Sequence, residues 1–107
     1  MKEYNLGVRK LTKKDRKRAP LNLTKVVGEK GIRRLAEMEH GRWNVERLSY
    51  GWRHAEEKDV ARKLNPCLVP WPKLRNIKGI NYQPYDINAI RGLPKKLREA
   101  GLELFKI

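Results

Sequence analysis

Cysteine is almost absent from this 107-residue chain, and that scarcity excludes several classes of protein. Cys67 is the single cysteine, so the chain can form neither an internal disulfide bond nor a zinc site built from several cysteines. No run of about 18 apolar residues occurs, which predicts that the chain has no membrane span. The N-terminus is charged and lacks the apolar centre of a signal peptide. Together these absences predict a protein of the reducing cytoplasm.

Acidic side chains are also few, because 12 Asp and Glu oppose 26 Lys and Arg and leave a net charge of +14. Twelve of the basic residues but only three of the acidic ones fall in residues 1–34. The imbalance indicates that the N-terminal third either faces an anionic partner or is a solvated arm. Three Trp, four Tyr and several aliphatic clusters supply core material for one folded domain.

The densest positive charge lies in residues 9–18, where seven of ten residues are basic. We predict that residues 1–25 form an extended or weakly helical basic arm and that residues 26–107 form the domain. Such an arm is either a solvated tail or a non-specific nucleic-acid contact, and residues 9–18 contain no aromatic residue for base stacking. The candidate nucleic-acid contacts are Arg9, Lys10, Lys13, Lys14, Arg16, Lys17 and Arg18.

A long helix is predicted from about residues 29–32 to Tyr50, with Gly51 ending it. On a helical wheel one side is apolar and is expected to face the core; it carries Leu35, Met38, Val45, Leu48 and Trp52. Trp43 lies roughly 150° from the middle of that side. The helix therefore has a second face, whose composition suits a flat, charged ligand.

That second face supplies the candidate ligand-binding residues, which are Glu39, His40, Arg42, Trp43, Arg47 and Tyr50. A guanidinium beside an aromatic ring can stack on the ring or hold a phosphate in a bidentate manner. The simpler alternative makes Trp43 a core residue and Arg47 an ion-pair partner of Glu39 or Glu46. Glu39 and Glu46 are interpreted as part of an ion-pair ladder, rather than as a catalytic pair of carboxylates. We therefore predict no catalytic residue, and we also predict no metal site and no cofactor.

The remainder of the chain predicts shorter elements. Residues 52–64 form a turn and a short charged helix or hairpin, and three prolines make residues 65–72 an extended wrap on the main helix. A loop over residues 73–85 leads to a helix that starts at Asp86, is split by Pro94 and stops at Gly101. Residues 102–107 form a strand that could pair with residues 50–53. The predicted fold is mostly α with minor β.

Three motifs, in order, carry a family likeness: AEMEHGRWNVERLSYGW, KLNPCLVPW and YDINAIRGLPKKLREAGLEL. They resemble the ryanodine receptor repeat, or RyR domain, in the stand-alone form of prokaryotes and their phages. The likeness covers about residues 32–107 and implies a mostly helical domain with small strands and a hairpin. The sequence departs from the family pattern at His54–Ala55 and at Asn65, where the family often has His.

The resemblance also implies a function. Paired repeats of the family can present a helix Trp from each copy across a cleft that suits a purine, with Arg groups for phosphates. Trp43 matches that Trp and Arg47 the phosphate-facing Arg, so a single-copy chain would need a homodimer. We therefore expect a non-enzymatic module that binds a nucleotide-like small molecule. The alternatives are a nucleic-acid-associated protein that uses the basic arm and a protein–protein adaptor that uses the dimer surface.

Overall fold

The computed structural model describes residues 4–107 and has three α-helices and one two-stranded sheet within them. In chain order the elements are β1 (Leu6–Lys10), α1 (Leu23–Ser49), α2 (Gln83–Arg91), α3 (Leu93–Glu99) and β2 (Leu102–Lys106). Short 3-10 helices cover Asp15–Lys17 and Trp71–Arg75. The mostly helical prediction with minor β structure is confirmed. Within residues 4–107 no helix is long and apolar enough to cross a membrane.

The sheet joins the two distant parts of the chain. β1 and β2 are antiparallel, with Leu6 opposite Lys106 and Lys10 opposite Leu102. The predicted terminal strand is confirmed, but its predicted pairing with residues 50–53 is wrong. β1 is the better partner because Leu6 and Leu104 lie on one face of the sheet and are both buried in the core.

The basic segment, residues 9–18, is held against the domain at several points. Its backbone is extended at the end of β1 and forms a 3-10 turn over Asp15–Lys17, and Leu11 is buried. Arg98 of α3 donates hydrogen bonds to the backbone carbonyls of Asp15 (3.2 Å), Arg18 and Ala19 (3.3 Å). Residues 1–3 of the predicted arm lie outside the described residues, and the boundary predicted between residues 25 and 26 falls inside α1.

α1 contains a break near its start. Asn22 caps the first turn by accepting a hydrogen bond from the backbone N–H of Lys25 at 3.2 Å. Gly28 then adopts φ +74° and ψ 172°, which interrupts the helix and lets its long part begin close to the predicted start at residue 29. The break brings Val27 against Gly31, where an added Cβ would lie 2.6 Å from the Val27 Cβ. At the other end Gly51, with φ +90°, follows the helix as predicted.

The buried side of α1 agrees with the predicted one at Leu35, which lies in the core, but not further along the helix. Ile32, Ala36 and His40 are buried, whereas Met38, Val45 and Leu48 are 55%, 69% and 46% exposed. α2 and the proline-rich segment pack on the His40 side, and Ile87 of α2 joins the core there. Tertiary packing has therefore overridden the apolar side of the helical wheel over the second half of α1.

The C-terminal half follows the predictions more closely. α2 begins at Gln83, three residues before the predicted N-cap Asp86, because Pro84 suits the first turn of a helix. Pro94 lies at the start of α3, so the predicted split is confirmed. The proline-rich segment lies against α1, and buried Gln83 holds its end by donating to the Trp71 carbonyl at 3.1 Å.

Candidate ligand-binding cleft

An open cavity of about 410 Å³ lies where α1, the proline-rich segment and the start of α2 meet. We call it the Trp43 cleft. It is lined by His40, Trp43, Lys58, Asn65, Cys67, Leu74, Tyr82, Tyr85 and Asp86. Ligand pockets of this size are common, since most have volumes of about 300–1,000 Å³.

His40 fixes the wall between α1 and the proline-rich segment. Its ring is almost fully buried, and Nε2 lies 2.7 Å from the carbonyl oxygen of Val69. Asn44, one turn later, donates from Nδ2 to the same oxygen at 3.0 Å. Two donors from one helix therefore hold one carbonyl, which keeps the wall of the cleft in place.

The cleft carries aromatic rings from two elements. Trp43 is half-buried and stacks on His40, with ring centroids 5.6 Å apart and an interplanar angle of 19°. Tyr82 and Tyr85 stack on each other at 5.9 Å and 22°, at the start of α2. Such faces offer a flat ligand extensive apolar contact.

The polar groups of the cleft are few. Asp86 Oδ2 lies 3.6 Å from His40 Nδ1, and burial raises the pKa of the Asp86 carboxyl although the nearby His40 lowers it in part. Lys58 supplies a cationic side chain to the lining. Burial also raises the pKa of the Cys67 thiol, so the nucleophilic thiolate is disfavoured there. Within residues 4–107 no three His, Cys, Asp or Glu side chains are grouped so as to hold a metal ion.

The structure brings two of the six predicted ligand-binding residues, His40 and Trp43, to the lining of the cleft. The other four, Glu39, Arg42, Arg47 and Tyr50, are not among its lining residues.

Arg42 and Arg47 take part in an ion-pair network on the surface of α1. Arg42 pairs with Glu39 at 2.7 Å and with Glu46 at 2.5 Å, and Arg47 pairs with Glu46 at 2.9 Å. The pKa of Glu46 is lowered by its hydrogen bonds from Arg47 and Arg42. The Arg47 guanidinium also lies 6.0 Å from the centroid of the Trp52 ring.

Sequence reasoning missed most of the lining. Tyr82, Tyr85 and Asp86 were placed in a loop or at a cap, and Lys58, Asn65 and Cys67 were assigned no ligand role. Their only signal was the spacing of Tyr82, Tyr85 and Asp86, which lie three and four residues apart and so share one side of a helix. That signal depends on a helix starting before Asp86, which was not predicted.

The basic segment presents a second candidate surface. Arg9 pairs with buried Glu103 at 2.5 Å and lies over the Phe105 ring, and Arg18 pairs with Asp15. The remaining five basic residues of the segment are exposed and form no ion pair within the described part of the chain: Lys10, Lys13, Lys14, Arg16 and Lys17. The contacts of Arg98 with the Asp15–Lys17 turn hold several of these charges in a fixed place.

Comparison with known proteins agrees with the fold. A family model described as the RyR domain matches residues 19–93, which is more than half of the chain and includes all nine residues that line the cleft. Comparison with curated proteins finds no match. The match starts and ends earlier than the region predicted from the three motifs. The chain belongs to the RyR domain family.

Proposed function

We propose that this protein is a non-enzymatic module that binds a flat, nucleotide-like ligand, a purine phosphate, in the Trp43 cleft. The observation that carries the proposal is the convergence of Trp43, Tyr82 and Tyr85 on one cavity of about 410 Å³ that also contains Lys58. The RyR family match supports the same domain but does not identify its ligand.

The chemistry of the cleft suits each part of such a ligand. Stacking a base on an aromatic side chain contributes roughly 1–3 kcal/mol. The ammonium of Lys58 can meet a phosphate as a compact point charge. His40 and Asn44 hold one wall before the ligand arrives, so little ordering cost is left for binding.

Titration calorimetry with AMP and GMP tests the proposal. We expect binding by the wild type and a loss of about ten-fold or more in affinity for Trp43→Ala, because one stacked ring is removed. Trp52→Ala is the matched control, since Trp52 is a half-buried Trp outside the lining of the cleft. Absence of binding by the wild type, or equal losses in the two variants, contradicts the proposal.

The predicted homodimer has support from a different surface of α1. Met38, Val45 and Leu48 form an exposed apolar side of α1 that a second copy, or a partner of an adaptor, could cover. Sedimentation equilibrium should show self-association that Val45→Glu removes. A wild type that stays monomeric at all concentrations contradicts the homodimer.

A second candidate function is non-specific binding of nucleic acid by the basic segment. The supporting observation is the group of exposed cations in residues 10–17 that form no ion pair with residues 4–107 and that α3 holds in place through Arg98. Without aromatic residues in this segment, affinity would come from phosphate contacts and would fall steeply with salt.

Fluorescence anisotropy with duplex DNA over a range of salt concentrations tests this candidate. The double variant Lys13→Ala/Lys14→Ala should reduce the slope of log K against log salt by about 1.8, since each lost phosphate contact contributes about 0.9. Arg33→Ala/Lys73→Ala removes the same charge from other exposed positions and should leave the slope close to that of the wild type. Equal slopes for the two double variants would assign the binding to net charge alone.

The stand-alone prokaryotic or phage origin, the cytoplasmic location and the lack of enzymatic activity remain predictions.

A further inference from the structure

We propose that Asp86 makes the Trp43 cleft selective for guanine over adenine. The carboxylate would accept two N–H groups, from N1 and from the 2-amino group, on the edge of a purine stacked beside Trp43. This inference rests on the proposed function, because it names the base that the same cleft takes.

The first step concerns the partners of Asp86. Within the described chain the polar contact of its carboxylate is His40 Nδ1 at 3.6 Å, which is longer than a normal hydrogen bond. The side chain lines the cleft and is about one-fifth exposed, so at least part of the carboxylate faces the cavity. Burial without hydrogen-bond donors also accounts for the direction of its pKa change.

The second step concerns the tautomer of His40. The Val69 carbonyl can only accept a hydrogen bond, so His40 Nε2 must donate the proton in that 2.7 Å contact. The other nitrogen, Nδ1, faces Asp86 across 3.6 Å, which is too long for a strong hydrogen bond, so the carboxylate oxygens remain available to a ligand.

The third step compares the edges of the two purines. An ionised carboxylate has only acceptors, and it pairs best with two parallel N–H donors. Guanine presents two such donors on its N1 and 2-amino edge. Adenine presents one donor, its 6-amino group, beside an unprotonated N1, and that lone pair would face the carboxylate. Hypoxanthine keeps the N1–H and lacks the 2-amino group, so it should rank between the two.

Calorimetric titration of the full chain with GMP, IMP and AMP tests the inference. We expect affinities in the order GMP, IMP, AMP, with a difference of about ten-fold or more between the first and the last, as expected for losing one charge-assisted hydrogen bond. Asp86→Asn should bring the AMP affinity at least level with that of GMP, because an amide offers one donor and one acceptor, which match adenine. Glu99→Gln is the control, since it removes an exposed carboxylate from α3 outside the lining of the cleft and should preserve the order.

The outcomes separate the two proposals. Equal binding of GMP and AMP by the wild type, or the wild-type order in a folded Asp86→Asn variant, overturns the guanine selectivity alone. If none of the three nucleotides binds the wild type, the proposed function fails and the selectivity fails with it. Circular dichroism of each variant establishes that it is folded, and the wild-type ranking tests the inference even if Asp86→Asn does not fold.

Discussion

The Val69 carbonyl accepts two hydrogen bonds, from His40 and from Asn44, and this sharing predicts a specific energetic coupling. His40→Phe keeps a buried ring but removes one donor, and Asn44→Ala removes the other. Each single variant leaves the carbonyl with one partner, so each should cost about 0.5–1.5 kcal/mol of unfolding free energy. Asn44→Ala should fall at the low end, because its Oδ1 is a buried acceptor for which residues 4–107 supply no partner.

The double variant differs in kind, because it leaves the carbonyl without either donor. An unsatisfied polar group costs about 1–3 kcal/mol when it is buried, and this carbonyl is part-buried, so the double variant should lose about 1 kcal/mol more than the sum of the singles. Urea denaturation followed by far-UV circular dichroism measures all four proteins without relying on the fluorescence of Trp43, whose ring stacks on His40. Additivity within about 0.5 kcal/mol would refute the argument, because independent sites behave in that way.

Three further predictions concern charge, core and backbone. GMP affinity should fall as pH is lowered through the pKa of Asp86, because only the ionised carboxylate accepts both donors. Burial raises this pKa above the ordinary 3.8, and calorimetry should show no such fall for Asp86→Asn. Leu104→Ala should cost about 2–5 kcal/mol in urea denaturation, whereas Val8→Ala, at the exposed residue opposite it, should change stability by less than about 0.5 kcal/mol. Gly28→Ala should lower the free energy of unfolding by about 1–3 kcal/mol in thermal unfolding, because the backbone conformation of Gly28 is essentially restricted to glycine. A Cβ at this position meets no atom within 4 Å, so a steric clash would not explain the loss, and a neutral result contradicts the prediction.

Local chemistry explains what the sequence predicted well. Gly51 and Pro94 act on the backbone conformation of their own residues, and both helix boundaries were placed close to them. The terminal strand over residues 102–107 was also predicted from its own composition. The two helix boundaries depend on few long-range contacts, so a single sequence carries enough information to place them.

Packing partners explain what the sequence could not supply. The helical wheel of α1 shows apolar residues such as Met38 and Val45, but it cannot show that the proline-rich segment bonds to His40 on the other side. The same limit applies to the cleft, because Trp43 and Asp86 are more than forty residues apart in sequence. The predicted partner of β2 is wrong for the same reason, because β1 lies almost a hundred residues away in sequence.

The antiparallel pairing of β1 with β2 has a mechanical consequence. Leu6 lies opposite Lys106, so the outer ends of both strands are at the same end of the ladder. Tension applied at these two residues would open the hydrogen bonds one after another, rather than shearing all of them at once. The first step of this opening would pull Leu6 out of the core that it shares with Leu104 and Leu23. The two strands should therefore separate at a smaller pulling force than they would need if they were sheared along their length.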